Sequence, residues 1–152
     1  MAIVYLGLGT NIGNKRRNMI TAAALLAERV GDILALSGFY ETEPWGFESK
    51  NIFLNASVKL KTSFSPLELL QITQQIEKEL GRTEKSNGTY HDRIIDIDIL
   101  LYDDEVLQMP GLILPHPLMH ERKFVMDPLS EIAPFVVHPV LKERIIDLKE
   151  RL

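Results

Sequence analysis

Cysteine is absent from all 152 residues. That removes disulfides, thiolate zinc sites and cysteine nucleophiles, and it suits a reducing cytoplasm. No apolar run approaches the roughly 20 residues of a membrane span, so a soluble chain without a membrane partner is expected. The first basic cluster, Lys15-Arg16-Arg17, follows the first apolar stretch instead of preceding it, which is the wrong order for a secretory leader. A basic excess is missing as well. The formal net charge of −4 argues against a general binder of nucleic acid, so phosphate groups must be drawn by local basic residues. Two phosphate-binding signatures also fail. The run Gly7-Leu8-Gly9-Thr10-Asn11-Ile12-Gly13 brings its last glycine one residue too late for the dinucleotide fingerprint, and Asn14-Lys15 after it completes no P-loop. These glycines are expected instead to form a tight strand-to-helix turn.

What is present is one domain, residues 1–152, with 45% hydrophobic and 25% charged residues, enough for one sizeable core. Ile3 to Leu8 reads as a strand. Asn14 to Val30 reads as a helix with Met19, Ala22, Ala23, Leu26 and Val30 on one stripe, stopped by Gly31. Ile33 to Thr42 is a second strand interrupted at Ser37-Gly38, and Phe53 to Lys61 a third. Ser65-Pro66-Leu67-Glu68 is a capping box opening a helix whose buried stripe is Leu69, Ile72, Ile76 and Leu80. A polar loop from Arg82 to Asp92 offers almost nothing to bury and is expected to be a mobile lid, an ordinary flexible surface loop being the other reading. It feeds a strand around Asp96. Short apolar segments at Val106-Leu107 and Leu112 to Leu114 follow, then a C-terminal helix with Leu141, Ile145, Leu148 and Leu152 on one stripe. The order β-α-β-β-α-β predicts a ferredoxin-like α+β sandwich with an antiparallel sheet, extra C-terminal elements, two helices on one face and the other face free for a ligand.

The strand Arg93-Ile94-Ile95-Asp96-Ile97-Asp98-Ile99-Leu100-Leu101 carries two carboxylates where a buried strand should have none. Alternation puts Asp96 and Asp98 on one face and Ile95, Ile97 and Ile99 on the other. Like charges about 6–7 Å apart along a strand repel, and tend to persist where a cation sits between them. Hard oxygen ligands suit Mg²⁺, which usually leaves positions for water and phosphate oxygens. A solvated edge strand is the other reading of Asp-x-Asp. On the third strand, Leu54, Ala56, Val58 and Leu60 form an apolar side, so Phe53 and Asn55 point away from the helix-packed core. A ring beside an amide suits a flat, hydrogen-bonding heterocycle, although Phe53 under a loop and Asn55 capping backbone would serve structure equally. Arg82, Lys85, Arg93, His116, His120, Arg122 and Lys123 surround the carboxylate strand in sequence, as phosphoryl chemistry requires. Gln74 and Glu77 lie on the flank of their helix's apolar stripe, within reach of the sheet edge.

Taken in order, several segments resemble one family. They are Gly7-Leu8-Gly9-Thr10-Asn11, Phe39-Tyr40-Glu41-Thr42-Glu43-Pro44, Phe53-Leu54-Asn55-Ala56, Gln75-Ile76-Glu77 with Gly81-Arg82, Arg93 to Asp98, Pro115-His116-Pro117, and His120-Glu121-Arg122 with Phe124. That family is the 6-hydroxymethyl-7,8-dihydropterin pyrophosphokinases of folate biosynthesis. The resemblance implies transfer of a pyrophosphoryl group from ATP, the co-substrate, to the pterin hydroxymethyl oxygen, with AMP released. It implies two Mg²⁺ ions on Asp96 and Asp98, and catalytic roles for Arg82, Arg93, Asp96 and Asp98. It further implies Gln74, Glu77, Arg82, Arg93, Ile99, His116 and Arg122 toward ATP, and Thr42, Glu43, Trp45, Phe53, Asn55 and Phe124 around the pterin. The chain departs from the family pattern at Phe53, where tyrosine is common, at Glu84, at Tyr90-His91-Asp92, where the loop is one residue longer, and at Leu118. Two rivals remain at this stage: an Asp-x-Asp sugar-nucleotide transferase, and a non-catalytic ferredoxin-like binding module.

Overall fold

The computed structural model describes residues 1–42, 52–81 and 94–152. The expected lid over 82–92 lies outside them, as do Glu43, Trp45, Arg82 and Arg93. Strand β1 (Ala2–Thr10) runs up the middle of the sheet. After it comes helix α1 (Lys15–Arg29), whose N-cap Asn14 accepts from the Arg17 N–H at 3.1 Å. Between strand and helix, it is Gly13, with φ +75°, that makes the turn. Gly7 and Gly9 lie inside β1, which corrects the expectation that they form that turn.

The second strand divides as its Ser37-Gly38 break suggested, into β2 (Gly31–Leu36) and β3 (Tyr40–Thr42), both paired with β4 (Phe53–Thr62). Helix α2 (Pro66–Glu79) opens on the capping box read from sequence: Ser65 Oγ accepts from Glu68 N–H at 3.2 Å, and Glu68 Oε1 from Ser65 N–H at 3.0 Å. Strand β5 (Asp96–Tyr102) completes a sheet of order β2-β4-β1-β5, all antiparallel, with β3 beside β4. This is the ferredoxin-like order. Strands β6 (Leu107–Met109) and β7 (Leu112–Leu114) form a separate hairpin.

On one face, Val4, Leu6 and Leu8 of β1, Ala56, Val58 and Leu60 of β4, and Ile97 and Ile99 of β5 pack against Met19, Ala22 and Leu26 of α1 and Leu69 and Ile76 of α2. The other face differs from expectation. Helices α3 (Lys123–Ile132) and α4 (Ile145–Glu150) cover part of it, burying a second core of Tyr5, Leu100, Leu101, Met119, Val125, Met126, Leu129, Ile145 and Leu148. A register shift between Tyr5 and Leu6 in the β1–β5 pairing marks a bulge there, and it lets both Leu100 and Leu101 join that core. Helix α3 escaped the sequence reading because Pro128 sits inside it, where proline ordinarily ends a helix. The expected C-terminal stripe shrinks to Ile145 and Leu148. Leu141 precedes α4 at 36% exposure and Leu152 follows it at 50%.

The two accounts of the C-terminal region separate in stability. Leu129→Ala empties a fully buried position in the second core and should cost about 2–5 kcal/mol, whereas Leu141→Ala should stay within about 0.5 kcal/mol of the parent. Urea unfolding of both variants checks this. Comparable losses would mean that Leu141 is packed into the second core as firmly as Leu129.

Candidate functional site

Strand register builds the site. In an antiparallel pair, directly opposed residues project to the same face. Gly9 of β1 lies opposite Asn55 of β4 on one side and Asp96 of β5 on the other, while Tyr40 of β3 lies opposite Asn55. One row across the sheet therefore reads Tyr40, Asn55, Gly9, Asp96. The next row reads Ser57, Gly7, Asp98. Both rows stand on the face away from α1 and α2. With strands about 4.8 Å apart, the amide of one row is roughly 10 Å from the carboxylate across a glycine that puts nothing between them.

At the amide end, Asn55 is 5% exposed and its Nδ2 donates to Thr42 Oγ1 at 2.8 Å. Phe53 lies opposite Thr42 on the same face. Three of the residues expected around a heterocycle are thus brought together. Phe124 joins this side of the sheet through α3, which packs over β3 and β4.

At the carboxylate end, Asp96 and Asp98 are half-buried on β5. His116 is tied to this strand by its N–H, which donates to Leu100 O at 3.0 Å. Burial lowers its pKa to about 4, helped by the Arg122 guanidinium and opposed by the Asp96 carboxylate. The imidazole is consequently neutral at neutral pH. Its Nδ1 accepts from the Leu118 N–H at 3.4 Å, which leaves the proton on Nε2 as a donor. Arg122 sits between the 3₁₀ turn Met119–Glu121 and α3, with its Cζ 5.8 Å from the Phe124 ring centroid. A cation over that ring joins the carboxylate end of the site to the aromatic end.

Glu77 and Ile99, both expected toward ATP, are also tied into the fold. Glu77 is buried, and its Oε2 accepts from the Ile97 N–H at 2.8 Å, so this carboxylate fastens α2 to the outer edge of β5 between the two aspartates. Ile99 is buried in the helix-side core, on the face opposite Asp96 and Asp98, and at this edge strand it can offer a nucleotide only its main chain. Gln74 is exposed on α2. The sequence reading missed Gly7 and Gly9 as the floor between the two ends. The signal was there: two glycines spaced by two residues inside a strand, in the same period as Asp96 and Asp98.

The donor set fits Mg²⁺. Two adjacent carboxylates on one strand face provide hard oxygens, and among the described residues no cluster of three or more metal-binding side chains competes with them. Such a site keeps positions for water and phosphate oxygens. Among the described residues, no helix is long and apolar enough to cross a membrane.

Known proteins share this chain's sequence and fold. The family profile described as 7,8-dihydro-6-hydroxymethylpterin-pyrophosphokinase (HPPK) matches residues 5–134. A Porphyromonas gingivalis protein named 2-amino-4-hydroxy-6-hydroxymethyldihydropteridine pyrophosphokinase is 57% identical over 141 residues, which cover 91% of this chain and 95% of that one. An Aquifex aeolicus protein of the same name is 44% identical over 149 residues, covering 98% and 91%. A Plasmodium falciparum HPPK-DHPS crystallised with pteroate superposes with a TM-score of 0.80 at 20% identity, over 99% of this chain and 42% of that larger one. The chain thus spans about two fifths of that solved structure, and the likeness to it is one of fold. With the profile spanning most of the sequence and relatives 44% and 57% identical along nearly their whole length, the chain belongs to the 7,8-dihydro-6-hydroxymethylpterin-pyrophosphokinase family.

Proposed function

We propose that this chain is an ATP-dependent pyrophosphokinase that transfers the terminal pyrophosphoryl group of ATP to the hydroxymethyl oxygen of 6-hydroxymethyl-7,8-dihydropterin for folate biosynthesis. The observation that carries this reading is the row Asn55, Gly9, Asp96: an amide for a heterocycle's polar edge, an open floor, and a carboxylate for metal-bound phosphate. The hydroxymethyl oxygen bonds to the β-phosphorus, the bond from that phosphorus to the α-phosphate's bridging oxygen breaks, and AMP leaves. The hydroxyl proton is released to solvent. Asp96 and Asp98 would hold two Mg²⁺ ions, which when bound neutralise charge on the ATP phosphates. Arg122 contributes fixed positive charge, and neutral His116 a hydrogen bond from Nε2, to the same phosphates. Thr42 and Asn55 read the pterin's polar edge, and Phe53 and Phe124 supply aromatic faces. Arg82, Arg93, Glu43 and Trp45 belong to this proposal by family resemblance. Small molecules are the partners on this reading; the net charge of −4 disfavours nucleic acid, and the lack of cysteine favours the cytoplasm. The rival sugar-nucleotide and non-catalytic readings are separated by one assay, AMP release from ATP with and without the hydroxymethyl pterin.

In that assay, Asp96→Asn or Asp98→Asn should nearly abolish turnover, while folding stability stays level or rises slightly as like-charge repulsion is relieved. Activity kept within about threefold of the parent, roughly 0.7 kcal/mol of barrier, would remove these residues from the metal site. Asn55→Ala should weaken pterin binding by about 1–3 kcal/mol and spare ATP, because the heterocycle's polar edge loses its partner in a dry pocket. Calorimetry with each ligand separately decides the matter, and an equal loss for both would make Asn55 a structural residue.

His116 should resist protonation in the metal-free protein down to about pH 4. Its folded pKa lies below the ordinary value of 6.5, so the unfolded chain takes up a proton first. The associated stability is present in full above pH 6.5 and drains away as pH falls toward 4, by up to about 3 kcal/mol. Burial depresses His138 in the same direction. Subtracting the pH–stability curve of His116→Gln from that of the parent isolates the His116 share, and parallel curves would count against the assignment.

A further inference from the structure

The carboxylate of Glu131 has no part in the chemistry proposed above, yet it ties helix α3 to the Gly38–Tyr40 segment that leads into β3. It stands on α3, two turns beyond Phe124. Between β2 and β3 the strand leaves its ladder at Ser37-Gly38, and the Gly38 N–H that is freed donates to both Glu131 oxygens, at 3.1 and 3.2 Å. The Tyr40 hydroxyl donates to Oε1 of the same carboxylate at 2.6 Å. Tyr40 heads the row that contains Asn55, and two residues further along β3 stands Thr42, which accepts from Asn55. One carboxylate thus fastens the helix that carries Phe124 to the strand that carries Thr42.

We infer that Glu131 is a positioning residue for pterin binding: its bonds to Gly38 N–H and Tyr40 OH set the separation of α3 from β3, and with it the fit between Phe124 and the Thr42–Asn55–Phe53 side of the pocket. This rests on the pterin pocket as proposed above. The clamp borders a cavity of about 410 Å³ whose lining also includes Lys123, Asp127, Ser130 and Lys149. Water can therefore reach the partners of a truncated Glu131, and the apolar second core is not opened. Charge-assisted bonds to a carboxylate are about twice as strong as neutral ones, which suits a tie that must hold a helix in register through ligand entry and release. Positioning errors of about 1 Å are known to cost up to a hundredfold in enzymes, so a modest loosening should be readable.

The test is steady-state kinetics on the full chain with Glu131→Ala, Glu131→Gln and Tyr40→Phe, and with Asn55→Ala as a reference for the pocket itself. The pterin KM should rise about tenfold in Glu131→Ala and less in Glu131→Gln, which keeps an acceptor; the ATP KM and kcat should move less than about twofold. Tyr40→Phe breaks one bond without removing the carboxylate, and should shift the pterin KM in the same direction, which keeps the test decisive if Glu131→Ala folds poorly. The split between the pterin KM and the ATP KM is the readout that a purely structural role would leave unmoved, and an ultraviolet titration checks that the bond itself has been broken. The Tyr40 phenol, held up to about 12 chiefly by its bond to Glu131, should fall back toward 10 in Glu131→Gln. If the pterin KM stays at the parent value, or both KM values rise together, while Asn55→Ala still raises the pterin KM, the clamp is overturned and the pocket stands. If Asn55→Ala also leaves the pterin KM unchanged, the pocket reading fails and the clamp fails with it.

Discussion

The site depends on the register of β1 between its two antiparallel neighbours. A slip of one residue on either side would exchange every side chain between faces, sending Asp96 and Asp98 into the helix-side core and their neighbouring isoleucines into the site. What prevents the slip is apolar burial on the other face. Val4, Leu6, Val58 and Leu60 are fully buried, each contributing about 1.5–3 kcal/mol, and no single polar contact in the site approaches their sum. The hydrophobic core therefore fixes the geometry of the polar row opposite, without touching it. Glu77 extends the same control to the outer edge, since its bond to the Ile97 N–H holds the strand between the aspartates from the α2 side.

The second face is divided in two by the bulge beside Tyr5. Beyond it, Tyr5, Leu100 and Leu101 lie dry under α3 and α4; before it, Gly7, Gly9, Asp96 and Asp98 are left for a ligand. A sheet with both faces fully covered would have no place for the two half-buried carboxylates of β5. One with a bare second face would leave α3 nothing to pack on, and Arg122 and Phe124 would lose the helix start that carries them to the edge of the pocket. Half coverage is what allows a rigid wall and an open floor to coexist on one small sheet.

Much of this was legible in the sequence because it follows from local periodicity. The alternation along Phe53 to Lys61 correctly put Phe53 and Asn55 on the face away from α1 and α2, and Asp-x-Asp marked the carboxylate strand. The Ser65 capping box located the start of α2 to the residue. What failed was information carried by tertiary contact. Pro128 hid α3, because a helix that tolerates proline is stabilised by the stripe Val125, Met126, Leu129 and Ala133 against the sheet and not by its own propensity. The bond of Glu77 to a backbone N–H of β5 likewise has no signature in sequence. The bonds of Glu131 to Gly38 and Tyr40 span 93 and 91 residues, far beyond any periodic pattern.

Gly9 shows most directly how the fold defers to the site. A Cβ built there would lie 3.4 Å from Asn55 Oδ1 and 3.9 Å from Phe53 Cδ1, with no backbone atom in the way. At Gly7 it would rest against the Leu100 side chain at 3.5 to 3.7 Å. Neither glycine is among those with positive φ, so backbone conformation does not demand them. Glycine within a strand costs roughly 0.5–1 kcal/mol relative to alanine, and the fold alone would accept alanine at both positions. The atoms that a methyl group at Gly9 would meet belong to residues assigned to the pterin. The strand thus forgoes stability to keep the floor between Asn55 and Asp96 unobstructed, as the proposed approach of the pterin hydroxymethyl group to Asp96 requires.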